Sequence, residues 1–164
     1  MAILCAISFV AGKSTGTKSK VGHINSNELW QLMPEKKVAD SEILAKKEQM
    51  VTFLKSEEQS LQQGLMKFIR DSLKMTDLQK QQERKKLIAL QESLKTLPEQ
   101  ANQELADFQE AKYAPIREKM QKAIDEVAAE NGYDMILDQA FGNIVYVRNE
   151  SDNILNLVKA KLNL

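Results

Sequence analysis

The chain has 164 residues, enough for one domain of ordinary size and too few for two. Its 6 glycines, 3 prolines and 5% aromatics stand against 28% charged residues, a composition that suits helix seams better than sheet cores. Basic and acidic residues balance at 23 each, with one Cys and one His; this excludes a global nucleic-acid or acid-tail signature, an internal disulfide framework and nearly all Cys/His metal chemistry.

The first segment, residues 1–20, opens with the apolar run Ala2 to Ala11, followed by the small polar stretch Gly12-Lys13-Ser14-Thr15-Gly16. The run has the length of a secretory signal core and is too short to span a bilayer, although a basic leader before it is missing. The reading is an exported chain whose signal is truncated or incomplete, with a buried head strand as the alternative. Gly12-Lys13-Ser14-Thr15 resembles the end of a phosphate loop, but the first glycine of that motif would fall at Ile7, so the motif fails.

Residues 21–34 begin a small head. Val21 to Asn25 reads as a strand, and Ser26-Asn27-Glu28 as the cap of a short helix that runs to Met33 before Pro34. His23 sits mid-strand without a partner for metal binding or triad chemistry, and strand packing is the better reading.

Residues 35–115 form the long helical part. Between Glu35 and Asn131 the only glycine is Gly64, and twelve of the fourteen glutamines lie between positions 49 and 121. Such a span reads as long helix, and it needs a reversal. Thr76-Asp77-Leu78-Gln79 has the capping-box form, which places the tip near residues 75–77. Before it, positions 44 to 75 follow alternating steps of three and four, with Leu44, Val51, Leu54, Leu61, Leu65, Phe68 and Met75 apolar. After it come Leu87, Leu90, Leu94, Leu97, Ala101 and Phe108. Two seams on either side of a cap predict an antiparallel coiled-coil hairpin, each arm reaching roughly 60 Å; the alternative is one unbroken rod. Pro98 is expected to kink or break the return arm, Pro115 to adjust it where it meets the head, and Gly64 and Pro98 are hinge candidates.

Residues 116–164 return to the head. The seam shifts to Ile116, Met120, Ala123 and Val127, and Asn131-Gly132 ends the helix in a left-handed cap. Asp134 to Asp138 and Asn143 to Arg148 read as strands joined around Gly142. Ser151-Asp152 caps a last helix carrying Ile154, Leu155, Val158 and Leu162. Three short strands make too small a core alone, so the head is expected to complete itself with copies of itself.

Two features of the hairpin remain. Met66, Ile69 and Leu73 form a stripe off the seam, with Met50 and Phe53 nearer the head and Ile88 on the return arm. Flexible Met beside aliphatic groups suits a surface that accepts many sequences, while a wide seam or contacts between neighbouring hairpins explain them equally well. From Leu65 to Lys95 eight basic residues (Lys67, Arg70, Lys74, Lys80, Arg84, Lys85, Lys86 and Lys95) face four acidic ones, a net +4; from Pro98 to Asn131 the balance is a net −4. The tip is therefore basic, fit to meet an acidic membrane surface or acidic chain segments. A solvated face of uneven charge is the plainer explanation. No catalytic constellation is present, and no cofactor is called for.

The pattern VGHINSNELWQLMPE, a coiled-coil hairpin, AKYAPIREKMQKAIDEVAAENGYDMILD, a strand and a final helix resembles the Skp (OmpH-like) periplasmic chaperone family over about positions 20–164. Its specific pieces are Ile24-Asn25-Ser26 with Met33-Pro34-Glu35, and Ile116 through Leu137 with its Asn131-Gly132-Tyr133-Asp134 exit. The resemblance implies a mainly α fold with a β-barrel head completed by homotrimerisation, and helical tentacles around a cavity. It implies an ATP-independent holdase that keeps unfolded outer-membrane β-barrel proteins soluble in the periplasm. The off-seam apolar residues would then be client-binding. The alternative is a structural coiled-coil adaptor or spacer that binds one folded partner at its basic tip. The family is often strongly basic, whereas this chain is neutral, and no lipopolysaccharide site is carried over.

Overall fold

A computed structural model describes residues 19–142, 144, 146, 147 and 152–164. The chain runs β1 (Val21–Ile24), α1 (Ser26–Leu32), α2 (Pro34–Asp71), a 3₁₀ turn (Ser72–Lys74), α3 (Asp77–Glu130), β2 (Met135–Asp138) and α4 (Leu155–Leu162). α2 and α3 are antiparallel arms of a hairpin, so the unbroken rod is excluded. At about 1.5 Å per residue, the 38 residues of α2 extend roughly 57 Å.

The reversal is built as the sequence indicates. The Thr76 hydroxyl accepts from Gln79 N–H, and the Gln79 carbonyl oxygen accepts from Thr76 N–H at 2.9 Å, closing a reciprocal capping box. At the far end of α3, Gly132 adopts φ +66°, Tyr133 N–H donates to Ala128 O and Gly132 N–H to Ala129 O. This pair of bonds satisfies the last carbonyls of the helix and turns the chain toward β2.

β1 and β2 are parallel, with Val21 opposite Met135 and Ile24 opposite Asp138, and His23 makes a single bridge to Asn153 on the other edge of β1. The hairpin is therefore the crossover between two neighbouring strands. The first strand's short helix is capped by Asn25, whose side chain accepts from Glu28 N–H, rather than by Ser26. Ser26 instead donates to Asp138, backbone to Oδ1 at 3.0 Å and hydroxyl to Oδ2. Met33 is extended (ψ 121°), as the residue before a proline must be, and Pro34 opens α2. The N-cap of α4 is Ile154, without a side-chain cap, and Asn153 Oδ1 accepts from Leu155 N–H. The expected strand at 143–148 and Ser151 lie largely outside the described residues, as does the apolar N-terminal run.

One buried cluster joins Ile24, Leu29, Met33, Ala39, Ile43, Ile116, Met120, Ala123, Val127, Ile154, Leu155 and Val158. The head thus gains most of its core from helices packed on β1. Trp30 meets Tyr113 edge-on with ring centroids 5.2 Å apart, and Tyr113 Oη donates to Asp40 at 2.7 Å. The Lys20 backbone N–H donates to the Asp134 carboxylate and its carbonyl accepts from Asp134 N–H, while its ammonium donates to Asn131 O and lies 4.1 Å from the Tyr133 ring centroid. His23 is buried with neither ring nitrogen hydrogen-bonded, which fits packing rather than ligation.

Pro98 and Pro115 do not break α3, which is continuous through both. Both prolines are exposed, so water can hydrate the carbonyls they leave unpaired, and seam contacts on either side hold the helix together. Gly64 is likewise inside an unbroken α2. A Cβ there would lie 2.7 Å from Leu87 Cδ2, so the glycine is a recess that receives Leu87.

Two stability outcomes follow from these contacts. At Gly22 a Cβ would lie 2.9 Å from both Ile136 Cδ1 and Tyr133 Cε1, so Gly22→Ala lowers unfolding free energy by roughly 1–3 kcal/mol. Gly64→Ala stays near neutral, because about 1 kcal/mol of helix propensity offsets the shift of a flexible Leu87 terminus, whereas Gly64→Leu parts the arms and lowers the unfolding midpoint. Chemical denaturation followed by circular dichroism separates the three. A pH series tests Asp138. Burial alone would raise its carboxyl, but hydrogen bonds from Ser26 and Ala140 outweigh burial and hold it below the ordinary carboxylate range. A depressed folded-state value means stability that is present above the unfolded value of about 3.9 and lost as pH falls through the folded one. Asp138→Asn is expected to be less stable at neutral pH and to lose that acid slope.

Candidate functional site

The hairpin displays two surfaces that packing within the chain does not explain. The first is apolar. Ile43, Met50, Leu54, Leu61, Phe68 and Met75 lie in or beside the seam, whereas Leu44, Val51 and Leu65 are exposed, at 57%, 56% and 44%. The expected seam is therefore corrected at these three positions, where Ile43, Met50 and Gly64 stand in their places. The register is set at the head, where Ala39 and Ile43 are buried in one cluster with Ile116 and Met120, and it continues in steps that bring Gly64 against Leu87. The return arm follows expectation, with Leu87, Leu90, Leu94, Leu97, Ala101 and Phe108 half-buried and Ile116, Met120, Ala123 and Val127 buried.

Of the six off-seam residues singled out in the sequence, five are exposed: Phe53, Met66, Ile69, Leu73 and Ile88, with Leu73 at 94%. Met50 is half-buried in the seam. Sequence reasoning missed Leu44, Val51 and Leu65 as surface residues, and Leu78, which is exposed at the start of α3. The signal was present: extending the Ala39–Ile43 step by sevens reaches positions 50, 57 and 64, and makes 44, 51 and 65 flank positions. Leu44 and Val51 share a shallow groove with Lys47, Glu48 and Thr52, while Phe53 belongs to another with Ala45, Gln49 and Ser56.

The second surface is basic. All four acids of the tip span are engaged by cations on their own arm: Arg70–Asp71 at 3.0 Å, Lys80–Asp77 at 3.7 Å, Lys86–Glu83 at 2.8 Å and Lys95–Glu92 at 2.7 Å. Hydrogen bonds from Arg70 and Lys86 hold the Asp71 and Glu83 carboxyls below their ordinary values, and the Asp71 bond raises Arg70. Among the described residues Lys67, Lys74, Arg84 and Lys85 have no such partner within ion-pair distance, and the Arg84 guanidinium stands 5.6 Å from the Phe68 ring centroid. The net +4 of the span is thus carried by four cations available to another molecule.

The head-proximal half differs. There three ion pairs cross between arms, Lys119–Glu35, Lys112–Glu42 and Lys46–Glu104, beside the within-arm pairs Lys36–Asp40 and Arg117–Glu110. Described residues include no group of three or more His, Cys, Asp or Glu able to hold a metal ion, and no helix long and apolar enough to cross a membrane.

The described residues thus form a long hairpin on a small head, with exposed aliphatic side chains along its arms and unpaired cations near its tip. Residues 20–162 match the family described as outer membrane protein (OmpH-like), and the chain belongs to that family of outer-membrane chaperones. It is 24% identical over 160 residues to the chaperone protein Skp of Pectobacterium atrosepticum, covering 95% of this chain and 96% of that one. The crystal structure of an OmpH-like outer membrane chaperone from Caulobacter crescentus CB15 superposes with a TM-score of 0.71 at 15% identity, over 88% of this chain and 84% of that one; at that identity the likeness shows the fold.

The placement of the seam is testable by thiol labelling. In a background with Cys5→Ser, Ile69→Cys and Leu44→Cys are expected to react with a maleimide at rates near those of a free peptide. Met50→Cys reacts measurably slower. Equal rates at positions 44 and 50 would contradict the seam register.

Proposed function

We propose that this chain is an ATP-independent holdase. It binds unfolded outer-membrane β-barrel proteins between its hairpins and keeps them soluble in the periplasm. The observation that carries the reading is the display of large aliphatic side chains, Ile69 and Leu73 foremost at 73% and 94% exposed, on a helical arm that keeps its own seam. A hairpin needs none of them for packing. Unfolded barrel strands carry alternating apolar side chains that would otherwise pair edge to edge. Many shallow contacts on several arms hold such a chain without trapping it.

A homotrimer fits this reading. Val21, Met135 and Leu137 are exposed on the small sheet, and among the described residues β2 pairs only with β1. Three heads that share their short strands would cover that face and form a barrel, with three hairpins around a cavity. The free cations Lys67, Lys74, Arg84 and Lys85 support a further contact at the tip, with acidic client segments or an acidic membrane surface. They are also the feature an adaptor that grips one folded partner would use.

Size-exclusion chromatography with light scattering tests the reading. The protein alone is expected near three chain masses. When a urea-unfolded outer-membrane barrel is diluted into it without nucleotide, a soluble complex forms and turbidity is suppressed. A trimer that leaves the client to aggregate would favour the adaptor. Replacing Lys67, Lys74, Arg84 and Lys85 with Gln is expected to weaken retention of an acidic client and to flatten its salt dependence, while circular dichroism stays unchanged.

A further inference from the structure

Charge is sorted along the hairpin in a way that a single hairpin cannot use. Toward the tip the uncommitted cations are Lys67, Lys74, Arg84 and Lys85, because the acids of that span are engaged on their own arm. From Pro98 to Asn131 the balance is the opposite, a net −4. There Glu104 pairs with Lys46, Glu110 with Arg117, and Glu126 and Glu130 with Lys161. Among the described residues Glu99, Asp107, Glu118 and Asp125 have no cation within ion-pair distance, and Lys122 is the one uncommitted cation of the span. Glu118 lies roughly 60 Å from the tip of its own stiff arm at about 1.5 Å per residue. The two sets therefore cannot meet within one hairpin, nor among parallel arms rooted in one head.

Their spacing matches. Lys67 and Lys74 are two helical turns apart on α2, so they share one face at an axial separation of about 10.5 Å. That face lies roughly 90° from the seam, on the flank opposite the one that carries Leu65 and Ile69, and both lysines are exposed. Glu118 and Asp125 are likewise two turns apart on α3, on the side turned roughly 180° away from the buried Ile116, Met120, Ala123 and Val127. Both are exposed. Asp125 accepts from the Gln121 amide at 2.8 Å, a neutral bond that leaves its charge uncompensated. When two hairpins lie antiparallel, α2 of one and α3 of the other run the same way, and Lys67 falls opposite Glu118 as Lys74 falls opposite Asp125. Arg84 and Lys85 stand about as far from Thr76 as Lys67 does, so they reach the level of the same acid. The exchange is two-fold symmetric: each copy gives a tip and receives one, and the contact is made twice.

We propose that the Lys67–Lys74 face of one hairpin docks on the Glu118–Asp125 face of a second copy rooted in another head, the two laid antiparallel. Spacing selects the occupant as much as sign does. An acidic lipid surface or an acidic unfolded segment matches the cations in sign alone, whereas a second copy matches them in sign, in separation and twice over. Exposed ion pairs are individually weak, so the association depends on that doubling and is labile to salt. The flank that carries Leu65 and Ile69 stays uncovered, which makes the proposal independent of what the aliphatic residues bind.

Sedimentation velocity on the full-length chain tests this, in about 20 mM and about 0.5 M salt, where the Debye length falls severalfold. The particle present at high salt is expected to double its mass at low salt. Two reversed variants, Lys67→Glu with Lys74→Glu and Glu118→Lys with Asp125→Lys, each remain at the high-salt mass, because tip and root then repel; circular dichroism checks that both are folded. Mixed together at low salt, they are expected to regain the doubled mass, since each tip now faces a root of opposite sign in both halves of the symmetric contact. Reversed variants that double on their own overturn the proposal in favour of another face. A mixture that stays at the high-salt mass overturns the pairing. A wild-type mass that is the same in both salts overturns the proposal outright; flotation with phosphatidylglycerol vesicles that then depends on Lys67 and Lys74 assigns these cations to a lipid surface instead.

Discussion

The burial of Ala39 and Ile43 against the α3 end that carries Ile116 and Met120 is the constraint on which the hairpin depends. Once these small and branched side chains are fixed in the head, each later seam position on α2 is determined by helical repeat. Moving the register by one residue would place Leu44, Val51 and Leu65 inside. It would also bury Asp40 in place of Ala39 and remove Gly64 from Leu87. The head therefore decides which aliphatic residues of an arm many turns long are spent on packing and which are shown to solvent.

The head is held by residues that the family-like motifs share out between the two ends of the chain. Gly22 leaves room for Tyr133 and Ile136, Lys20 pairs with Asp134, and Ser26 ties the start of α1 to Asp138 at the end of β2. Each contact spans more than a hundred residues of sequence. Ile24-Asn25-Ser26 and Asn131-Gly132-Tyr133-Asp134 are thus two halves of one junction: strand, helix start and helix exit meet there. Closing such a long loop is entropically costly, and the local order of the hairpin, capped at Thr76, lowers that cost by bringing the ends together as a stiff unit.

Much of this was legible in the sequence, and what was missed has physical reasons. The capping box, the glycine exit at Gly132, the return-arm seam and the apolar face of α4 rest on local chemistry that the chain states directly. The α2 seam was misread at Leu44, Val51 and Leu65 because Leu44 and Val51 are about as apolar as Ile43 and Met50, and Leu65 far more so than Gly64. The actual seam is chosen by the head and by the fit of Leu87 to a glycine, both non-local. Pro98 was expected to break its helix because proline removes a hydrogen bond; exposure of that turn makes the loss affordable. The split of the exposed residues into two flanks was out of reach until the seam direction was known, since flanks are defined only relative to it.

The same misreading is informative about function. With Ile43 and Met50 seated in the seam, and Gly64 there in place of Leu65, the chain still leaves Leu44, Val51 and Leu65 beside it as exposed apolar surface. Such a surface would invite hairpins to associate with one another. The distribution of charge opposes this: zero net charge for the whole chain conceals a net +4 near the tip and a net −4 toward the head. In the proposed trimer, parallel neighbours would meet like with like along their length, which would hold their arms apart. An overall basic chain is thus not required for a repelling, client-accepting tip. What is required is that the tip's acids be engaged on their own arm, as Asp71, Asp77, Glu83 and Glu92 are, so that the remaining cations stay uncommitted.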